Sequence, residues 1–182
     1  MKEFNPFRFN AAASVENLIY GAERPAYPLQ VIEIDDITQW IQFMKEQGIL
    51  RICSLLTIEQ LEFYKFDLLE YYSKQFGEKN ICWAPIKDFH FADVSVLKSK
   101  ILPFLSQSFE TNKKTIVHCS GGIGRTGHVL AAWLVYARNF SIEKAFSEVI
   151  KMDRNPFEAI ETKHETKGNL YKLFAELQIN NQ

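Results

Sequence analysis

Long apolar runs are missing from this 182-residue chain: no stretch approaches the roughly 20 residues that a membrane span needs. The first residues, "MKEFNPFRFNAAASVENL", also lack the continuous apolar core of a secretory signal, and none is expected. Cysteine is scarce. Cys53, Cys82 and Cys119 form an odd set without C-x2-C spacing, which argues against a disulfide framework and a structural zinc site. Reduced thiols in a cytoplasmic protein are the expectation. Nor is there an excess of either charge, with 21 Lys and Arg against 22 Asp and Glu. That balance excludes broad electrostatic attachment to nucleic acid or stable attachment to an anionic membrane, and leaves a local pocket as the way to hold an anion. No repeat, low-complexity tract or Gly/Ser linker divides the chain, so a single domain over residues 1–182 is expected, long enough for a sizeable core.

What is present is 47% apolar and 14% aromatic content, arranged as strands alternating with helices. "NLIYGAERPAYP" reads as a short strand ended by a Pro-containing loop. Asp35 and Asp36 can cap a helix carrying Ile37, Trp40, Ile41 and Met44 at helical spacing, closed by Gly48. "ILRICSLL" and "KTIVHC" have the nearly continuous apolar character of strands buried on both faces. Between them lie helices from 57 to about 65 and from about 67 to 76, the strand "NICWAPI", and a helix from about 94 to 110 that Pro103 should kink or break. "TGHVLAAWLVYAR" is apolar nearly all round, as a central helix would be. Ser141 caps a helix to about 152, and Leu170, Leu173, Phe174 and Leu177 mark a last one over about 169–178. The pattern predicts an α/β fold with a central, mostly parallel sheet flanked by helices. Ligands of such sheets bind beyond the carboxyl ends of the strands.

One loop stands at that edge, "HCSGGIGRTG", residues 118–127. A free cysteine titrates near 8.5, so only about 3% of it is thiolate at pH 7. A helix N-terminus and a nearby cation bring activated cysteines to roughly 3.5–7.5, and Cys119 has both within its own loop. Gly121, Gly122 and Gly124 can take positive φ and turn successive amides inward as an anion nest, to which Ser120 and Ile123 add theirs. Arg125 closes the C-x5-R ring with a planar fork suited to two phosphate oxygens. Thr126 can hydrogen-bond the thiolate and ease its departure. The loop lacks the lysine of a nucleotide-binding G-x4-G-K-[ST] sequence.

"HCSGGIGRTG" resembles the signature H-C-x5-R-[ST] of the cysteine-dependent protein tyrosine phosphatase superfamily, through His118, Cys119, Gly122, Gly124, Arg125, Thr126 and Gly127. The chain's size is similar to that of the small atypical dual-specificity branch. The resemblance implies a two-step phosphoryl transfer with Cys119 as nucleophile, Arg125 and the loop amides on the phosphate oxygens, His118 orienting the cysteine, and no metal or cofactor. It implies a carboxylic acid on a loop after a strand. Asp88 in "WAPIKDFHFADVS" fits best, as acid in the first step and base in the second, with Asp93 as the rival, whose other reading is an N-cap. "RNPFEAIET" resembles the family's R-P-x-x-I-E-T with Asn155 inserted, and Glu165 stands where relatives often have a glutamine.

The implied substrate is a phosphoprotein or phosphopeptide, carrying phosphotyrosine and, as a wider option, phosphoserine or phosphothreonine. Ser120, Gly121 and Ile123 are uncharged, whereas superfamily members acting on phosphoinositides often carry Lys or Arg there. Phosphoinositide or other small-phosphoester hydrolysis, a weakly active phosphate-binding pseudophosphatase and an arsenate reductase stay open as alternatives. Tyr20, Arg24 and Tyr27 are candidates for the pocket entrance, with plain packing as their other reading. Cys53, on a strand that would flank the loop, raises oxidation to a disulfide with Cys119; its other reading is a buried core thiol.

Overall fold

A computed structural model describes residues 5–178. Five strands form one sheet in the order β1-β2-β5-β3-β4: β1 (Asn10–Ala11), β2 (Ile19–Ala22), β3 (Arg51–Ser54), β4 (Ile81–Trp83) and β5 (Thr115–His118). Only β1 runs antiparallel, pairing Asn10 with Gly21. β5 lies at the centre between β2 and β3, in parallel register with Ala22 and Ser54 both opposite His118. Residues alternate between the faces. Ile52 and Ile116 enter one core, while Cys53 and Val117 enter the other.

The first core is made by α1 (Ile34–Glu46) and α3 (Leu68–Phe76), which bury Ile37, Trp40, Ile41, Met44, Leu68 and Tyr72. The N-cap of α1 is Glu33, not the aspartates; Asp36 completes a capping box by accepting from the Glu33 amide at 2.8 Å. Between β3 and α3, helix α2 (Ile58–Leu61) is a single turn that ends about four residues before its expected end near 65. On the other face α6 (Gly124–Arg138) is buried almost along its whole length, as its all-round apolar sequence requires. α7 (Ile142–Lys151), capped by Ser141, and α9 (Lys167–Gln178) pack against it, α9 through Leu170, Leu173, Phe174 and Leu177.

The helix expected over 94–110 changes its winding instead of breaking. α4 (Val94–Val96) passes into a π segment, Leu97–Ile101, and then into α5 (Leu102–Glu110). Pro103 falls in the first turn of α5, where a missing amide donor costs least, and the wider π turns lie directly before it. The sequence reading has no counterpart for β1 or for α8 (Glu158–Glu161), both too short for a periodicity to show.

Three parallel strands end at one edge. The Cys119 loop follows β5, the α2 turn follows β3, and the Asp88 loop follows β4. This places the three segments side by side beyond the carboxyl ends of the sheet.

Candidate active site

Cys119 sits at the foot of the loop between β5 and α6, and both it and Arg125 are only 3% exposed. Of the three glycines, only Gly122 adopts positive φ, at +71°. A Cβ there would also stand 2.5–2.6 Å from the backbone of Ala22 and Glu23, so two independent constraints demand glycine. Gly124 has ordinary φ, and a Cβ there would overlap the Glu158 carboxylate, the flexible end of a side chain that can swing aside, so glycine is favoured by space but less strictly than at Gly122. Gly121 faces the ring of Tyr27, where a Cβ would meet ordinary contacts of 3.5 Å.

The loop is fastened from behind by two buried arginines. Arg24 donates its amide to the Ser120 carbonyl at 2.9 Å and its Nε to Ser120 Oγ at 3.2 Å. Arg154 donates Nη1 to the Gly122 carbonyl at 2.6 Å and Nη2 to the carbonyls of Arg8 and Gly21 at 2.6 and 2.7 Å. Its burial pulls the Arg154 pKa down to about 10, still cationic at neutral pH. The Ile123 carbonyl accepts from the Asn155 amide at 3.3 Å, so the "RNPF" segment braces the loop directly. Arg24 is thus a support rather than a lining residue. Tyr20 stacks on Phe9 at 4.9 Å in the α1-side core, away from the loop. Tyr27, 42% exposed beside Gly121, is the member of the trio that stands at the entrance.

His118 is buried beneath the loop. Its Nδ1 lies 3.3 Å from the Cys119 carbonyl, its Nε2 lies 3.2 Å from Tyr72 Oη, and Trp40 packs edge-on at 5.7 Å. Burial first, then the charges of Arg24 and Arg125, push its pKa down to about 3 against the bond to Cys119, so the imidazole stays neutral beneath the loop. Thr126 Oγ1 is buried without a hydrogen-bond partner among the described residues; the bond to the cysteine sulfur expected from the sequence is not formed in this state.

Arg125 turns its fork toward the neighbouring loops. Nη1 donates to Gln60 Oε1 at 2.9 Å, to the Ile86 carbonyl at 3.0 Å and to the Leu55 carbonyl at 3.4 Å. Nη2 pairs with Asp88 Oδ1 at 3.0 Å. Gln60 Nε2 donates in turn to Asp88 Oδ2 at 3.2 Å, closing an Arg125–Gln60–Asp88 triangle. Gln60 is also half of a capping box with Thr57, which seats α2; the sequence reading assigns it neither task. Asp93 is exposed and stands at the N-cap of α4 without a side-chain cap bond, while Asp88 reaches the loop. His90 Nδ1 lies 2.8 Å from the Asp88 carbonyl and stiffens that turn. His128, without an assigned role in the sequence, is stacked on Phe91 at 5.0 Å and edge-on to Phe174 at 5.6 Å. The three cysteines are free and buried; Cys53 pairs in register with Cys82 on β4, and the contact between their sulfurs, with burial, holds the Cys53 thiol well above its ordinary pKa. Cys53 is therefore an inert core thiol in this state.

The catalytic-domain family of the dual specificity phosphatases matches residues 38–174, a span that contains the loop, Gln60, Asp88 and Glu158. The chain belongs to this family. Dual specificity protein phosphatase 5 of Rattus norvegicus is 33% identical over 73 residues, 40% of this chain and 19% of that protein. The putative tyrosine phosphatase 123R of Invertebrate iridescent virus 6 is 30% identical over 91 residues, 48% of this chain and 63% of that one. The chain therefore spans only part of the curated relatives it matches. Among solved structures, Tk-PTP in its active form superposes with a TM-score of 0.67 at 24% identity, covering 96% of this chain and 98% of the other. PTPMT1 in complex with PI(5)P superposes at 0.69 with 11% identity, covering 96% and 99%. At those identities the likeness is one of fold. Among the described residues of this family member, no helix is long and apolar enough to cross a membrane.

Proposed function

We propose that this dual specificity phosphatase domain hydrolyses phosphomonoesters of proteins through a cysteinyl-phosphate, acting on phosphotyrosine and also on phosphoserine or phosphothreonine. The observation that carries the reading is the placement of Cys119 at the base of a glycine loop opening helix α6, with Arg125 and Asp88 paired 3.0 Å apart at its side. Amides at the N-terminus of α6 and the Arg125 cation stabilise the thiolate and then the phosphate.

The phosphate oxygens of the substrate take the Arg125 fork from Asp88, which frees the carboxyl to face the leaving oxygen. Cys119 Sγ then bonds to phosphorus, the bond to the leaving oxygen breaks, and Asp88 gives that oxygen its proton. Water next attacks phosphorus, giving its proton to Asp88 as base, and the sulfur leaves as thiolate. The loop positions Ser120, Gly121 and Ile123 carry no charge, and the exposed ring of Tyr27 flanks Gly121. An aryl phosphate suits such a rim better than a polyanionic headgroup, whose additional phosphates would meet no charge at Ser120, Gly121 or Ile123.

The test is a panel of phosphotyrosine and phosphoserine/threonine peptides and phosphoinositides, read for phosphate release with the wild-type chain and Cys119→Ser. Wild type should cleave phosphotyrosine peptides fastest, and Cys119→Ser should fall to the buffer rate on every substrate. Turnover by Cys119→Ser sinks the nucleophile assignment; preference for phosphoinositides sinks the phosphoprotein assignment.

A further inference from the structure

Asp88 stands on a surface loop, and the reaction just described needs its carboxyl held where the leaving oxygen will be. The two residues after it both turn back on it. Phe89 donates its amide to Asp88 Oδ1 at 3.2 Å, and His90 Nδ1 lies 2.8 Å from the Asp88 carbonyl. Phe89 sits at φ +58°, a left-handed conformation that a bulky residue keeps only where its surroundings hold it. It is 39% exposed and lies outside both cores, so core packing is not what holds it.

The partner of this turn is His164, in the connection between α8 and α9. Its ring stacks on Phe89 with centroids 5.7 Å apart and planes 21° apart, and meets the His90 ring at 5.2 Å and 54°. One imidazole therefore packs against both residues that bond to Asp88. His164 is seated from behind, because its amide and that of Glu165 both donate to the carbonyl of buried Ala159 at 3.0 Å. Ring pairs in such offset or tilted arrangements attract beyond their buried area, enough to shift the population of a loop several-fold. In the sequence, His164 lies within the polar stretch "ETKHETKG", which has no period and no mark of a role.

Resting on the two-step reading above, we propose that His164 is a positioning residue, whose ring clamps Phe89 and His90 and so holds the Asp88 carboxyl ready for the leaving group. It acts only through the acid loop and exchanges no proton with substrate. When the substrate phosphate takes the Arg125 fork, the Asp88 side chain loses its tie to Nη2. The clamp then keeps the backbone of the loop in place while the carboxyl turns to its task.

The leaving group supplies the test, since a general acid matters where the departing oxygen is basic and little where it leaves readily as an anion. kcat/KM, which covers the steps up to departure of the phenol, is to be measured on phenyl phosphate and on 2,4-dinitrophenyl phosphate. The proteins are the full wild-type chain, His164→Ala, His164→Phe and Asp88→Asn. His164→Ala should lose about tenfold on phenyl phosphate and less than about twofold on the dinitrophenyl ester. His164→Phe keeps a ring to stack on Phe89 and should regain most of that loss. Equal losses on the two esters make His164 structural and overturn the proposal. So does the absence of any loss, or a His164→Phe variant no better than His164→Ala. Asp88→Asn should show the same dependence on leaving group more steeply, with about 10²-fold lost on phenyl phosphate. An Asp88→Asn variant indifferent to the leaving group defeats the acid assignment itself, whereas dependence in Asp88→Asn without dependence in His164→Ala defeats the clamp alone.

Discussion

Two neighbouring glycines illustrate how much one Cβ decides. Gly122 combines positive φ with a backbone wall at 2.5–2.6 Å, whereas Gly121 has ordinary φ and only the Tyr27 ring at 3.5 Å. Gly122→Ala should cost about 2 kcal/mol or more in urea denaturation, from left-handed strain and collision together. Gly121→Ala should stay within about 0.5 kcal/mol of the parent, as substitutions free of such constraints do. Equal costs at both positions contradict this account of the loop. The sequence marks all three loop glycines alike as sources of positive φ. Only packing shows that Gly124 serves another end, making room for Glu158. Arg154 is similar: its sequence context resembles a family stretch, but its three bonds to the carbonyls of Gly122, Arg8 and Gly21 come from chain segments far apart in sequence.

Among the elements, one of the short helices is tied directly to the candidate site. α2 is one turn, and one-turn helices depend on their ends. Thr57 Oγ1 accepts from the Gln60 amide at 3.4 Å, Gln60 Oε1 accepts from the Thr57 amide at 3.3 Å, and the same Gln60 binds Arg125 and Asp88. Thr57→Ala should lower stability by about 1 kcal/mol, measured by urea unfolding, as loss of an N-cap does. Thr57→Ser should restore most of it; a stable Thr57→Ala variant means that the cap is dispensable. Long elements were legible because burial imposes a period. Ile37, Trp40, Ile41 and Met44 repeat at helical spacing and are all buried in α1, and the central helix α6 is apolar on every side because it is covered on every side. β1, α2 and α8 hold two to four residues each, too few for a period, and their existence or extent rests on bonds to distant segments.

Across the whole molecule, two histidines buried without charge set the response to acid. Burial pushes both His118 and His128 down to about 3, against 6.5 for a free imidazole. Below about pH 6.5 the unfolded chain binds two protons that the native chain refuses, so stability falls as pH drops, and the loss ends near pH 3, where the native imidazoles titrate. Each contributes a slope of about 1.4 kcal/mol per pH unit within that window. Urea midpoints measured from pH 7 to 4.5 should therefore decline, and His128→Leu should remove about half of the histidine slope. An unchanged slope in that variant shows that His128 is not buried neutral. Glu16 adds a further loss at lower pH: burial raises it, but bonds from Arg138, Trp133 and the Leu18 amide together hold it below its usual value, and that stabilisation disappears as it protonates.

By itself the sequence determined the alternating α/β order, the buried central strand running into the glycine loop, and the Cys119–Arg125 spacing, because burial periods and a five-residue ring are local properties of a chain. It also brought Asp88 forward over Asp93, through the place of each on the loop after β4. Tertiary structure alone decided that Arg125 rests on Asp88 and Gln60, that Arg154 and Arg24 hold the loop from behind, and that Glu158 fills the space Gly124 leaves. Those contacts join segments that β3, β4, β5 and α8 bring to one edge of the sheet. A hydrogen bond or ion pair is fixed by distances of a few ångströms between side chains, and positions 32 to 96 residues apart leave no repeat in the sequence that could report it.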